Sequence, residues 1–188
     1  MRRAPDYIKA TNKAYELLLR FNFMTPVDVH YIAYSLIGNR LRHYTRQCDM
    51  YPIGRELLMQ TSEYGFTLMG AEGAFILYNE RQHYETQRFT VAHELGHLLL
   101  SHNEEDWATN AEANCFARNL LCPALVADEF GVYTVEGYRQ TFDISQTVAQ
   151  LSLQFKKVDL LNTSDEWYQR VRAYFADMFG YCPSYDAM

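Results

Sequence analysis

Residues 93–97 of the 188-residue chain read His-Glu-Leu-Gly-His, which is the pattern H-E-x-x-H. Positions i and i+4 of an α-helix differ by ~40° around its axis, so His93 and His97 project from one face and can share a metal ion. Glu94 lies ~100° round the helix, close enough to reach water at that ion without being a ligand. The pattern predicts a zinc site with a carboxylate general base beside it.

The helix that carries these residues must be held by its opposite face. That face is apolar, so the helix can pack on a core while its polar front meets a cleft. Gly96 disfavours a helix by roughly 1 kcal/mol relative to Ala, and it predicts that another backbone packs closely at this position. The residues of the apolar face are Val91, Ala92, Leu95, Leu98 and Leu99.

A third protein ligand must come from outside this helix, because catalytic zinc sites usually have three and leave one position to water. The metzincin continuation requires Gly at position 100 and His at position 103, and Leu100 and Asn103 exclude it. We favour Glu112, which lies on a second predicted helix that can turn back after a polar loop, and a carboxylate suits zinc beside two imidazoles. The remaining candidates are His102, Glu104, Glu105 and Asp106.

Each of these residues also has an ordinary structural interpretation. The histidine pair and Glu94 could be solvated groups on a helix surface. Thr109 and Glu112 are spaced as in a capping box, which would make Glu112 structural. The acidic stretch 104–106 has the composition of a solvated loop, and His102 could be a plain surface residue.

The first half of the chain predicts two helices followed by a β-hairpin. Thr25 and Pro26 have the types expected where a helix begins, and Gly38 is placed to end that helix. Residues 39–63 look irregular. The predicted elements are helices over 6–22 and 26–37, a short strand near 41–44, and strands over 64–69 and 74–78 joined by a turn at 70–73. The strand at 74–78 could pair with an extended peptide and present its backbone to the metal.

The second half is predicted to be helical with long connections. Pro123 stops the helix that carries Glu112, and Phe130–Tyr133 are predicted to be loop and turn. Ser145 is a candidate N-cap, and a capping-box pattern at 163–166 opens the last helix. The predicted elements are a loop over 101–108, helices over 110–122, 146–156 and 164–179, and a loose tail to 188.

Composition and charge narrow the class of protein. The net charge of −6 argues against direct nucleic-acid binding, which needs clustered cations. No apolar run approaches the ~18–20 residues that cross a bilayer. Pro5, Asp6 and Lys9 follow Met1 where a signal peptide would be apolar, so we expect a cytoplasmic protein. The cysteines form no C-x-x-C pair and are expected to be reduced, with Cys115 and Cys122 in the core: Cys48, Cys115, Cys122 and Cys182.

Several segments around the histidine pair match a known family in residue type: 89–100, 112–117 and 120–123, with 25–28 and 76–79 also similar. On these segments the chain resembles the ImmA/IrrE family of zinc-dependent metallopeptidases. The likeness covers about residues 10–125, with a weaker match over 138–155. The resemblance implies one Zn²⁺ ion with His93, His97 and Glu112 as ligands and Glu94 as the catalytic carboxylate.

The resemblance also implies a fold and a domain organisation. We expect an α+β, mostly helical, zincin-like metallopeptidase domain with a small β-sheet, the hairpin at about 64–78, beside the metal-binding helix. Residues 1–125 would form the metallopeptidase core, and 126–188 a C-terminal helical extension packed on the same domain. The chain departs from the family where Cys122 replaces a frequent Met, and His102 lies one position later than a family histidine.

The implied activity is cleavage of one peptide bond in a regulatory protein, and the implied partner is a helix-turn-helix, DNA-binding transcriptional repressor. Two other functions remain open: a zinc-containing module that sequesters a partner without cutting it, and a zinc hydrolase for a small substrate. Glu94 separates the first from the second, because a pure binder has no use for a carboxylate beside the metal. The donor that stabilises the oxyanion is not identified; the candidates are Tyr78, Arg88 and His102.

Overall fold

The computed structural model describes residues 3–22, 24–104 and 106–179. The elements before the hairpin are α1 (Tyr7–Arg20), α2 (Val29–Ile37), a 3-10 turn (Gly38–Arg40), β1 (Leu41–His43), α3 (Tyr44–Met50) and α4 (Arg55–Thr61). The hairpin and the two helices after it are β2 (Gly65–Gly70), β3 (Gly73–Tyr78), α5 (Tyr84–Leu99) and α6 (Trp107–Leu121). The remaining helices are α7 (Ala124–Glu129), α8 (Val135–Phe142), α9 (Gln146–Asn162) and α10 (Asp165–Phe179).

The first two helices form where the sequence predicts them, but α2 begins later than expected. Asp6 caps α1 by accepting a hydrogen bond from Lys9 N at 2.9 Å. The prediction that Thr25 caps α2 is wrong: Asp28 is the N-cap and accepts from Tyr31 N at 2.9 Å. Asp28 is preferred as the N-cap because its carboxylate is a stronger acceptor of hydrogen bonds. The hydroxyl of Thr25 instead donates to the Thr141 carbonyl at 2.7 Å.

The segment 39–63 is not irregular, and it contains α3 and α4. Few apolar residues mark these helices, so their stability comes from contacts with the rest of the molecule rather than from a periodic stripe. Tyr44 and Leu58 are buried against Leu77 in a small separate cluster. This cluster fixes α3 and α4 over one face of the sheet.

The three described strands form one mixed sheet in the order β1-β3-β2. The hairpin prediction is confirmed: β2 and β3 are antiparallel, with Gly70 opposite Gly73. The short strand near residue 41 is also confirmed, and it pairs with β3 in parallel. Because β3 is paired on both sides, the expectation that the strand at 74–78 accepts a peptide is wrong, and β2 is the outer strand on that side among the described strands.

The helix that carries Glu112 begins three residues earlier than predicted, inside the expected loop. Asp106 is its N-cap, and Asp106 and Thr109 form a reciprocal capping box at 2.8 Å in each direction. Thr109 is therefore the third helical residue of α6, and the predicted capping box between Thr109 and Glu112 is wrong. The prediction of loop and turn at Phe130–Tyr133 is confirmed, whereas the short helices on either side of it, α7 and α8, are not predicted.

The core joins elements from both halves of the chain. Val91, Ala92 and Leu95 on the back of α5 are fully buried, as the apolar pattern predicts. The same cluster contains residues of α1 and α2 and reaches Val171 on α10. Cys115 and Cys122 are buried in it as free thiols, as expected, while Cys182 lies outside the described residues. The structure is the expected α+β, mostly helical, zincin-like fold with a small sheet.

The C-terminal helices share this core with the residues before 125, since Phe142 and Val148 belong to the same cluster. The boundary at residue 125 stays a prediction. No helix in the described ranges is long and apolar enough to cross a membrane.

Candidate metal centre and active site

The site is built where α5 crosses α6, and Gly96 lets the two helices approach. A Cβ atom at Gly96 would lie 2.9 Å from the ring of Phe116 and 3.2 Å from Cα of Ala113. The first distance is shorter than real Cβ contacts and the second is tighter than most of them, so a side chain at this position would require a shift in α6. The prediction that another backbone packs at Gly96 is confirmed, and the contact brings the histidines of α5 next to the polar residues of α6.

The two histidines of α5 meet at their outer nitrogens. Nε2 of His93 lies 3.0 Å from Nε2 of His97, and the ring centroids are 4.7 Å apart. The one-face geometry expected from the i, i+4 spacing therefore exists in the folded chain. His97 is almost fully buried, and His93 is partly exposed at the cleft.

The partner of the other ring nitrogen fixes the tautomer of His93. Nδ1 of His93 lies 2.9 Å from Oδ1 of Asn114 on α6. A carbonyl oxygen can only accept, so Nδ1 of His93 carries the proton and donates it. Nε2 of His93 then carries a lone pair.

A relay of hydrogen bonds sets the tautomer of His97 in the same way. The Glu112 carboxylate accepts from Nε2 of His102 at 2.8 Å. In neutral His102 the remaining nitrogen, Nδ1, is an acceptor; it lies 3.0 Å from Nδ1 of His97, which then donates. Nε2 of His97 faces Nε2 of His93.

Two imidazole nitrogens 3.0 Å apart on one helix face are spaced to share a cation. In a tetrahedral zinc site with Zn–N distances of 2.0–2.1 Å, two ligating nitrogens lie ~3.3 Å apart. Ligating histidines commonly donate their second ring nitrogen to an oxygen or another acceptor, as His93 and His97 do here. The imidazole pair thus fits a zinc ion.

The third predicted ligand is held differently. Oε2 of Glu112 accepts from His102, while Oε1 accepts from the backbone N–H of Asp6 at 2.6 Å and from the Arg3 guanidinium. Burial alone would raise the pKa of Glu112, but the hydrogen bonds from Asp6, His102 and Arg3 outweigh it and lower that pKa. Glu112 is therefore a buried anion linked to the histidine pair through His102. In the part of the chain that the structure describes, no three His, Cys, Asp or Glu side chains are grouped as a metal site.

Glu94 faces a cleft of about 610 Å³ between the outer strand β2 and α5. Oε2 of Glu94 accepts a hydrogen bond from Thr67 of β2 at 2.8 Å, which orients the carboxylate. The side chain is only 5% exposed. His93 and Asn114 line the same cleft, so the carboxylate and one imidazole border one space.

The other candidates have different places. Asp106 caps α6 through Thr109, and Glu104 is exposed, while Glu105 lies outside the described residues. The hydrogen bond from the backbone N–H of Thr109, the largest influence, lowers the pKa of Asp106 against the opposing effect of burial. His102 is buried beside the histidine pair rather than on the surface.

Two of the suggested oxyanion donors point away from the cleft. Arg88 is 1% exposed and donates to the backbone carbonyls of Val27 at 2.9 Å and Phe142 at 3.0 Å, and also to that of Asp143. Its role is to tie α5 to the elements behind it, and the suggestion that it stabilises an oxyanion is wrong. Tyr78 packs its ring against His30, with centroids 5.2 Å apart.

Sequence reasoning missed the residues that orient the site. Asn114 and Thr67 are ordinary polar residues in their own elements, and only the packing of α6 and β2 on α5 brings them to His93 and Glu94. Asn114 had a detectable signal, since it lies within the segment 112–117 that matches the family. Arg3 had none, because it lies 109 positions from its partner Glu112.

A helix with a histidine pair and an adjacent glutamate, packed beside a small sheet, is the arrangement of a zincin-like domain. Residues 27–151 match the family model of the IrrE N-terminal-like domain, peptidase family M78. The chain belongs to this family, which points to a metallopeptidase and suggests a metal cofactor. A search among curated proteins gave no match.

Proposed function

We propose that this protein is a zinc-dependent endopeptidase in which His93, His97 and Glu112 hold one Zn²⁺ ion and Glu94 is the general base. The observation that carries the proposal is the pair of Nε2 atoms 3.0 Å apart, each with its tautomer set by a hydrogen bond at the opposite nitrogen. Family membership supports the same chemistry.

When bound, a zinc ion supplies Lewis acidity, which makes water a competent nucleophile near neutral pH and polarises a carbonyl group. The remaining chemistry belongs to the chain. Glu94 accepts the proton of the attacking water and returns it to the leaving amine. Thr67 keeps the Glu94 carboxylate turned toward the cleft through its hydrogen bond to Oε2. The walls of the cleft limit the water that reaches the reacting bond.

Glu112 would serve as the third ligand in this proposal. Both of its oxygens already accept hydrogen bonds, so binding of a cation by Glu112 competes with the contacts to His102, Asp6 and Arg3. Its charged state favours ligation, since a carboxylate must be deprotonated to bind zinc.

The outer strand supports a peptide as the substrate. Gly65, Phe66 and Thr67 of β2 line the cleft beside Glu94. An extended peptide that pairs with this strand would present its backbone carbonyls along the cleft, whereas its side chains would alternate toward and away from α5. A small-molecule hydrolase has no need for such a strand.

The proposed substrate is a helix-turn-helix transcriptional repressor in the same cytoplasm, as the resemblance to the ImmA/IrrE family implies. The net charge of −6 supports recognition of the repressor itself rather than of its DNA.

Glu94→Gln tests the function. We expect this variant to retain zinc and to lose at least 100-fold in the rate of cleavage, because the amide cannot accept the proton. The assay incubates the zinc-loaded protein with repressors encoded nearby, with and without a chelator, and identifies fragments by mass spectrometry. Glu85→Gln in the first turn of the same helix is the matched control and should cleave normally.

The alternative is a zinc-containing module that sequesters a partner. It would be favoured if a repressor bound tightly to both the original protein and Glu94→Gln and no fragment formed with either. Cleavage by Glu94→Gln at the original rate would remove Glu94 from the role of general base.

A further inference from the structure

A second cavity, of about 620 Å³, lies next to the cleft, between α9 on one side and α5 and α6 on the other. Its volume is within the range of ligand pockets, about 300–1,000 Å³. The proposed metal ligands and Glu94 do not line it.

The cavity continues the cleft. Thr86, Phe89 and Asn114 line both spaces, so a molecule can extend from one into the other. The shared wall is close to the histidine pair: the ring of Phe89 lies 6.4 Å from that of His93, and Asn114 contacts His93 directly. A chain that lies across His93 therefore has the cavity as its next space.

The wall formed by α9 is apolar and partly uncovered. Leu151, Phe155 and Val158 follow at i, i+4 and i+7 and present one face to the cavity. Their exposed fractions are 41%, 37% and 45%. Large apolar side chains grouped at a concave surface mark a binding site more often than chance exposure does.

The polar groups of the cavity suit a neutral ligand. Arg118 and Asp159 neutralise each other through two hydrogen bonds of 2.7 Å, and the Arg118 guanidinium lies over the ring of Phe155 at 4.8 Å. Nδ2 of Asn162 is buried and has no hydrogen-bond partner among the described residues. A buried amide donor left in this state favours an acceptor from outside, such as a peptide carbonyl.

We propose that this cavity binds the apolar segment of the substrate that adjoins the scissile bond. The inference rests on the proposed endopeptidase function and adds the substrate class: a peptide with large aliphatic or aromatic side chains beside the cleaved bond. The apolar wall of α9 buries those side chains, and Asn162 donates to a carbonyl of the same segment.

The test measures binding without hydrolysis. Zinc-loaded Glu94→Gln protein is titrated into fluorescein-labelled octapeptides of Ser and Gly that carry Leu-Leu, Phe-Phe, Asp-Asp or Ser-Ser at the centre, and fluorescence anisotropy is followed. We expect the Leu-Leu and Phe-Phe peptides to bind at least tenfold more tightly than the Ser-Ser peptide, with the Asp-Asp peptide weakest. Equal affinities for all four would overturn the proposal.

Variants of α9 tie the selectivity to the cavity. Leu151→Asp, added to Glu94→Gln, should abolish the preference for apolar peptides. Leu161→Asp is the matched control, because Leu161 is on the same helix, is 85% exposed and lies outside the lining.

Ala111→Phe on α6 fills the cavity without adding charge, and it should weaken binding of the Leu-Leu peptide in a chain whose thermal unfolding is unchanged.

The outcomes separate this proposal from the proposed function. If apolar peptides bind selectively but no repressor is cut, the cavity assignment stands and the endopeptidase assignment fails. If a repressor is cut and Leu151→Asp leaves both affinity and cleavage pattern unchanged, the cavity assignment fails alone. It also fails if Leu151→Asp only converts a dimer into monomers, since the wall would then be an interface between two copies.

Discussion

Nε2 of His102 lies 2.8 Å from Oε2 of Glu112, and both side chains are almost completely buried. The carboxylate thereby sets the tautomer of His102, and His102 in turn sets that of His97. Glu112 can act on a bound cation directly, as a ligand, or indirectly through His102.

Two substitutions separate these roles. Glu112→Ala should reduce zinc to well below one ion per chain, because it removes a ligand and a buried charge. His102→Ala should keep one ion per chain and weaken its affinity about 10- to 100-fold, the usual effect of losing an outer hydrogen-bond partner. Metal content by atomic emission and affinity by chelator competition check both. Unchanged zinc in Glu112→Ala would return attention to Glu104 and Asp106.

Among the substitutions considered, we expect one at Arg88 to cause the largest loss of stability. Its buried guanidinium donates to the carbonyls of Val27, Phe142 and Asp143. Arg88→Met leaves these acceptors without a donor, and we expect the free energy of unfolding to fall by about 3 kcal/mol or more. Urea denaturation measures the change. Arg139→Met, at a half-exposed i, i+3 pair, should change it by less than about 0.5 kcal/mol; equal effects of the two substitutions would contradict the assignment.

We expect Glu80 to contribute to the decrease in the free energy of unfolding at acid pH. Burial would raise its pKa, but hydrogen bonds from Thr45 and Arg55 lower it to about 2. Because the folded pKa lies below the unfolded one, this contribution is complete above about pH 4.3 and disappears as the pH falls toward 2.

Glu80→Gln should therefore lower the free energy of unfolding by about 1 kcal/mol at pH 7, since the pair is a quarter exposed and solvent screens it. At pH 2 the variant and the original chain should be nearly equal. Denaturation curves at both pH values test this, with Glu136→Gln, whose side chain is 60% exposed, as the control. A difference that persists at pH 2 would contradict the proposed origin.

The sequence predicts the long periodic elements well because their signals are local. In α5 the histidine pair and the apolar back recur with the same helical period, and in the hairpin Gly70 and Gly73 flank the turn. The short helices α3, α4, α7 and α8 escape prediction. Each has only six to eight residues, too few for a stable isolated helix, and tertiary contacts such as the burial of Tyr44 fix them.

The residues of the candidate site likewise fall into those that a local sequence pattern predicts and those that only tertiary contacts bring together. His93, Glu94 and His97 lie within about one helical turn of each other, so their common location follows from geometry alone. The contacts of Glu112 with Arg3 and Asp6 join residues more than 100 positions apart in the chain. No local pattern contains such a contact, and it exists only because α1 packs on α6.

The most direct test of the central claim is a calorimetric titration of Zn²⁺ into the metal-stripped chain. We predict one ion per chain, with His93→Ala and His97→Ala each weakening binding at least 100-fold. His83→Ala, at an exposed position before the same helix, should leave binding unchanged. Absence of zinc binding by the original chain, or equal affinity in His93→Ala, would contradict a metal site between the paired imidazoles.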